Sequence, residues 1–346
     1  MKKLLLILVV SASASCFGAP GKPMLMWIDA TDNFKRFSSA DSIAFYLDKL
    51  KSLGFTDVVV DVKPITGEVL YPSRYAPIMR EWDGFRRPRT FDYITTFITE
   101  AHTRSLRIHA GVNIFVGGQN RLDRGVVFSL RPGWATTIYT DSGMVSIMKL
   151  KKRLVAMINP ADTSVQNHQL NILRELVSRY PFDGVVLDRV RFDDLHADFS
   201  PLSQWLFELA IGKKIEKYPA DIFTWEKAPD GSTHSKPGKY FIRWIEWRAS
   251  IIHDFIAKAR AVVKKARPAI SFGDYTGSWY PIYFQVGANW ASSTYDPSKE
   301  YRWASPTYKS TGYAELLDFS ITGNYYYPVT KDELAWAIDQ IKTVFR

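Results

Sequence analysis

The sequence predicts an α/β fold of the (β/α)8-barrel type, and three observations carry that prediction. Short apolar runs rich in β-branched residues alternate with segments of helical periodicity along most of the chain. Each run ends in charged or polar residues, as parallel strands do where their carboxyl edges carry a site. With 346 residues, the chain is long enough for one large domain of this kind. The clearest unit is residues 167–194. Leu170, Leu173, Leu176 and Val177 fall at helical spacing, a short turn follows, and Gly184 to Leu187 form a buried strand. Asp188, Arg189, Arg191, Asp193 and Asp194 come directly after it. Charges favour the surface in general, but Asp188 abuts the apolar run, where burial is costly without a partner or a function.

In chain order, residues 24–28 predict strand one, ending at Asp29. A helix follows over 39–53, with Ile43, Leu47 and Leu50 as its apolar stripe and Gly54 as its stop. Strand two spans 56–62, interrupted by Asp61, and leads into the loop KPITGEVLYPSRYAP. A helix over 93–104 precedes strand three, 106–115, which contains His109 and Asn113. Repeated strand–helix units indicate parallel pairing with right-handed crossovers. Four strand-like pieces (126–130, 136–139, 145–148 and 154–158) then read as a β-hairpin insertion after strand three. Strand four is followed by a long excursion: a helix over 202–217, a polar segment over 228–239, and a helix over 240–267. Strand five covers 269–273, with Asp274 at its end, and an aromatic loop follows. Strand six covers about 316–321, with Asn324 to Tyr327 beyond it, and a helix spans 333–344. Six strands are legible where a complete barrel has eight. The count predicts a barrel incomplete toward its C-terminus, unless two strands lie within 126–158.

Residues 1–15 read as a secretory signal: Lys2 and Lys3, an apolar run over 4–10, then small residues. Cys16, the only cysteine, follows at once and cannot form an internal disulfide. Leucines, small residues and then Cys resemble a bacterial lipobox, which implies lipid attachment at Cys16 and an exported, membrane-anchored protein. Ordinary cleavage near Ala14 or Ala19 would instead release a soluble secreted one. The expected organisation is a signal over 1–15, a tether over 16–23 and a barrel over 24–346. The formal charge is +10, two units of it from Lys2 and Lys3, and the basic residues are scattered. Scattering and export both argue against a nucleic-acid partner. Tyrosine and tryptophan are plentiful in loops after the predicted strands, as surfaces that stack on sugar rings require.

Several stretches together resemble the bacterial family 10-like glycosyl hydrolases, barrels of the α-amylase-like type. In the loop after strand two, Pro64, Gly67, Tyr71, Pro72, Ser73 and Pro77 match, with Lys63 where Arg is usual and Glu68 where Asp is usual. His109-Ala110, Asn159-Pro160, DGVVLDRVRF and Asp318-Phe319 match as well. Gly111 replaces an expected Trp, Asp193 an expected Pro, and Thr322-Gly323 stand where Pro-Gln is usual. The resemblance implies glycan substrates, peptidoglycan strands among them; the residues themselves call for no cofactor or metal.

Glycoside hydrolysis ordinarily needs two carboxyl groups flanking the bond. Asp188, at the end of strand four, is the expected nucleophile or electrostatic stabiliser, with Arg191 as its counter-charge. Asp274 is the first candidate for the acid, ahead of Glu315, Asp318 and Asp61. Asp61 is otherwise a substrate contact or a buried structural carboxylate. His109 is read as a ligand for a sugar hydroxyl, as a tuner of a neighbouring pKa, or as a satisfied core histidine. Asn113 and Arg191 are expected substrate contacts, and Trp279, Tyr280, Trp290, Trp303 and Tyr325 candidate stacking platforms. No G-x-S-x-G elbow, P-loop, H-E-x-x-H or cysteine cluster is present. The alternative is a surface lipoprotein that binds glycan on a hydrolase-like barrel without cleaving it.

Overall fold

The computed structural model describes residues 23–325 and 330–345. The expected signal and Cys16, together with Tyr326 and Tyr327, lie outside the described residues. One parallel sheet organises the rest. Its strands are β1 (Leu25–Ile28), β2 (Asp57–Lys63), β3 (Arg107–Asn113), β4 (Gly184–Asp188), β5 (Ser271–Gly277) and β6 (Phe319–Gly323), hydrogen-bonded in that order. The helices are α1 (Ala40–Ser52), α2 (Tyr93–Thr103), α3 (Thr163–Arg179), α4 (Pro201–Ile211), α5 (Phe241–Ala266) and α6 (Lys331–Phe345).

Local chemistry sets these boundaries. Ser39 and Asp92 cap α1 and α2 by accepting from Ser42 N at 3.2 Å and Thr95 N at 3.0 Å. Gly54 turns the chain out of α1 at φ +87°, where a side chain would be strained. Ile43 and Leu47 of α1 are fully buried, each contributing roughly 1.5–3 kcal/mol.

The sheet is strongly curled. Trp27 on β1 and Tyr275 on β5 are four strands apart, about 19 Å in a flat sheet, yet their rings meet edge-on at 5.4 Å. β1 and β6 form the two edges and do not pair with each other among the described residues. The short strands of the insertion pair outside this sheet, so its count of six matches the runs legible in the sequence.

Three expectations need correction. The piece at 126–130 is a helical turn, Val126–Ser129, not a strand. It follows Gly125, whose backbone is packed so closely that a Cβ would lie 2.5 Å from the Thr66 carbonyl. The remaining pieces do form β-structure: Thr137–Thr140 pairs with Gly143–Ser146, and Val155–Met157 pairs antiparallel with Val116–Gln119. The polar excursion contains an antiparallel hairpin, Phe223–Lys227 with Thr233–Pro237. Finally, β5 runs on to Gly277, which places Asp274 mid-strand.

At 26 residues, α5 is about 39 Å long and serves two cores. Ile252, Phe255, Ile256, Ala259 and Val263 pack into the main one, whereas Phe241, Trp244, Ile245 and Ala249 join Phe199, Phe207, Ile222 and Phe223 of the excursion. Asn159 helps seat that excursion, donating to Asp198 Oδ1 and Ser203 Oγ, each at 3.0 Å.

Candidate active site

Strand alternation decides which side chains meet. The register aligns Asp61 with Gly111, and Gly111 with Val186, so Asp61 shares the inner face with Val186 and with Asp188 two residues on. The same ladder aligns Val112 with Leu187, Leu187 with Asp274 and Asp274 with Ser320. Asp274 therefore sits on the outer face, opposite to Asp188. A β-bulge between Asp61 and Lys63 brings Lys63 alongside Val112 on that outer face. There its buried ammonium donates to the carbonyls of Asn113, Ile114 (3.3 Å) and Val116 (3.2 Å), and burial lowers it to about 7.

The inner face opens into a cleft of about 550 Å³, within the range of small-molecule sites. Asp29 just after β1, Asp61 on β2 and Asp188 at the end of β4 line it, with Arg189 and Arg191 after β4, Asn113 at the end of β3, and Trp27, Tyr275, Trp279 and Tyr325 as its aromatic wall. Leu25 and Ile321 reach it from the two sheet edges. Trp279 lies 6.1 Å from Tyr325, which is 73% exposed, and the hydroxyls of Tyr275 and Tyr325 are hydrogen-bonded.

The carboxyls differ in surroundings. Burial pushes the Asp61 carboxyl well above the usual carboxylate range, and the neighbouring charges of Asp29 and Asp188 push it the same way. Trp27 Nε1 donates to Asp61 Oδ1 at 2.9 Å and fixes its orientation. Asp188 accepts from the Arg189 backbone N–H and from Arg189 Nη1, both at 2.6 Å. The same Nη1 also donates to Asn113 Oδ1. Asp29 closes an Asx turn, accepting from Thr31 N, Thr31 Oγ1 and Asp32 N at 2.7–2.9 Å.

The expected pairing of Asp188 with Arg191 is thus replaced by Arg189. Its backbone adopts φ +51° and folds the side chain back onto Asp188, while Arg191 Nη1 donates to the carbonyls of Phe192 and Asp193 at 3.0 Å each. Asp274 does not line the cleft. It is 1% exposed, accepts from Ser320 Oγ at 2.8 Å, and is pushed up to about 6 by burial against the lowering pull of the Ser320 and Tyr313 hydroxyls. His109 lies deep on the inner face, its Nε2 bonded to Asp57 Oδ1 at 2.7 Å near the strands' amino ends, and burial lowers it. It too is absent from the cleft wall. Tyr280 is buried, donates to Asn289 Oδ1 at 2.9 Å and packs edge-on against buried Trp290 at 5.1 Å. Trp303 is stacked between Phe284 and Tyr301. Glu315 is held by Ser292 and Ser293, and Asp318 by Arg260 and Lys264. These aromatics are packing, and both carboxylates are structural.

Of the residues named from sequence, the cleft gathers Asp61, Asp188, Asn113, Arg191, Trp279 and Tyr325. Asp29 and Arg189, read only as charges at the ends of strands one and four, also line it, as do Trp27, Tyr275 and Tyr283, which the sequence reading leaves out. The alternation of Leu25, Trp27 and Asp29 along strand one was the available signal for Trp27 and Asp29. Among the described residues, no group of three or more His, Cys, Asp or Glu is arranged to hold a metal ion, and no helix is long and apolar enough to cross a membrane.

The sequence model of the family described as glycosyl hydrolase-like 10 matches residues 25–294, a span that runs from β1 through β5 and contains all three cleft carboxylates. The chain belongs to this family. Among curated relatives, an S-layer-related protein of Niallia circulans is 29% identical over 327 residues, covering 88% of this chain. The glycosyl hydrolase DigH of Escherichia coli K12 is 27% identical over 237 residues, covering 66%. The matches span only 20% and 45% of those relatives' lengths. Among solved structures, the glycoside hydrolase domain of PgaB (BpsB) from Bordetella bronchiseptica superposes with a TM-score of 0.60 at 13% identity, covering 93% of this chain and 81% of that one. A β-galactosidase from Bacillus circulans gives 0.56 at 10% identity, covering 93% and 43%. At such identities the superpositions establish a shared fold. For this member of the glycosyl hydrolase-like 10 family, that fold is a curled parallel sheet of the glycoside hydrolase kind.

Proposed function

We propose that the protein hydrolyses glycosidic bonds of a polysaccharide or glycoconjugate in this cleft, with Asp188 and Asp61 as its two carboxyl groups. The observation that carries the reading is that both lie on one inner face in opposed environments. Asp61 is desolvated and beside like charges, which keeps its proton available for a leaving-group oxygen. Asp188 is bonded to a guanidinium and faces the space where an oxocarbenium-like centre would form, as nucleophile or electrostatic stabiliser. Their backbones are about 12 Å apart by strand spacing, two strands across and two residues along. Inward-pointing carboxyls on a curled sheet shorten that span toward the separations of about 5–9.5 Å that glycosidase pairs use. Trp279 and Tyr325 supply ring faces for sugar stacking, and Arg191 and Asn113 supply polar contacts. We further propose, from the leader sequence alone, that the protein is exported and anchored by lipid at Cys16.

The deciding experiment is reducing-sugar release from a panel of polysaccharides and peptidoglycan glycan strands by the purified protein, with Asp188→Asn as control. Release by the wild type and its loss in the variant support hydrolysis. Saturable binding with no release from any glycan would reject hydrolysis in favour of a glycan-binding protein built on the same cleft.

A further inference from the structure

The loop after β2 carries the Tyr71-Pro72-Ser73 stretch, yet none of those side chains lines the cleft. The loop is seated on α3 instead. Ser73 Oγ donates to Glu175 Oε2 and accepts from Tyr75 N at 3.0 Å and Ala76 N at 3.3 Å, while Arg74 N donates to Glu175 Oε1 at 2.9 Å. The Glu175 side chain is only 8% exposed, and its charge holds the loop and faces the Arg179 guanidinium at 3.9 Å.

Around this anchor lies a second concavity of about 350 Å³, lined by Arg74, Tyr75, Asn171, Arg174, Ser178 and Arg179 beside Glu175. Arg179 is held in place: its guanidinium lies 5.9 and 5.3 Å from the ring centroids of Tyr71 and Tyr180, and Nη1 donates to the Pro72 carbonyl. Arg174 Nη1 donates to Asn171 Oδ1 at 2.7 Å. Among the described residues, no carboxylate lies within salt-bridge distance of Arg74 or Arg174. Two guanidinium groups without a carboxylate partner, those of Arg74 and Arg174, therefore converge on the pocket beside a third, Arg179, which pairs with buried Glu175 at 3.9 Å. The Tyr75 ring stands beside them, 43% exposed.

We propose that this flank pocket binds the acidic groups of an anionic glycan, at a site separate from the cleft. Guanidinium forks match carboxylate oxygens in plane and spacing, where a solvated ammonium would act only as a point charge. An exposed tyrosine face supplies what a sugar ring stacks on. The anchoring of residues 73–76 on Glu175 sets these groups before any ligand arrives, which lowers the ordering cost of binding. This second site does not depend on hydrolysis in the cleft.

The test is binding of the purified full chain to polygalacturonate, with neutral dextran as the reference polymer and inorganic phosphate as competitor. Four variants are compared with wild type: Arg74→Gln with Arg174→Gln, Tyr75→Ala, Asp188→Asn, and the charge-matched Lys213→Gln with Lys265→Gln. Wild type should retain polygalacturonate over dextran. The double arginine variant should weaken that binding by at least about tenfold, since two charge-assisted contacts go, with an unchanged melting temperature because both side chains are exposed. Tyr75→Ala should weaken it less, and the lysine pair and Asp188→Asn should not alter it. Equal binding to dextran, an equal loss in the lysine pair, or a loss in Asp188→Asn would overturn the proposal. Displacement by phosphate as effective, charge for charge, as by galacturonate would overturn the glycan assignment.

Discussion

Asp274 offers a sharp physical test because its environment predicts opposite outcomes for stability and for catalysis. Burial raises its carboxyl to about 6 in the folded chain, against about 3.9 in an unfolded one. The folded state thus holds the proton over a window in which the unfolded state has released it. Stability from this group is fully present below about pH 4 and is lost as pH rises through 6, since the unfolded state binds fewer protons there. A gap of about two pH units between the folded and unfolded carboxyl corresponds to about 3 kcal/mol. Asp274→Asn keeps an acceptor for Ser320 Oγ and removes the ionisation. The variant should therefore match wild type near pH 4 and exceed it by up to about 3 kcal/mol at pH 8, a rise of about 4 °C in melting temperature. Thermal melts of both proteins across that range read the difference directly. Because Asp274 faces away from Asp188, turnover should change by only a few fold. A stability gap that does not grow with pH would refute the buried-ionisation reasoning. A thousandfold loss of turnover would restore Asp274 to the chemistry.

Asp188→Asn should lower turnover by at least about 10³, roughly 4 kcal/mol in the barrier, and shift the melting temperature by only a few degrees; near-normal turnover would remove Asp188 from the mechanism. Asp61→Asn should cost about 10²–10⁴, most on poor leaving groups, and should abolish the alkaline limb of the rate profile; an unchanged limb would show that another group gives the proton. Gly184→Ala would place a Cβ 2.2 Å from His109 Nδ1 and should destabilise by about 1–3 kcal/mol, with denaturant midpoints as the check; a neutral result would mean the ring can move. Cys16→Ala should shift the protein from the membrane fraction to the soluble one or block its processing, and wild type that takes up no labelled fatty acid would defeat the lipid anchor.

Much of the sheet was readable because buried parallel strands leave continuous β-branched runs, as in Val58 to Val60 and Val185 to Leu187. The faces were harder to read. Whether Asp274 or Asp61 joins Asp188 depends on how the strands align, and register is a tertiary property that no single run encodes. The switch from Arg191 to Arg189 hinges on one left-handed residue, Arg189, which carries none of the glycine or asparagine that ordinarily flags such a conformation. The hairpin at 223–237 was hidden because its second strand, Thr233–Pro237, exposes polar residues and shows no apolar alternation. Tyr280 and Trp290 could be mistaken for sugar platforms because aromatic composition does not separate a ring that packs from one that waits for a ligand.

The cleft draws its walls from both ends of the described chain, with Leu25, Trp27 and Asp29 at one extreme and Ile321 and Tyr325 at the other. Contacts so far apart in sequence form late, since the entropy of closing so long a loop precedes any reward. During synthesis the first strand must wait for the sixth, and a partly made chain has helices and a growing sheet but no binding site. An occupant that bridges β1 to β5 and β6 would join the first-made and last-made pieces of the sheet and stabilise their union by mass action. Ligand-induced protection should therefore be greatest at the amides of these distant strands, and hydrogen exchange would find a true substrate analogue even where turnover is too slow to see.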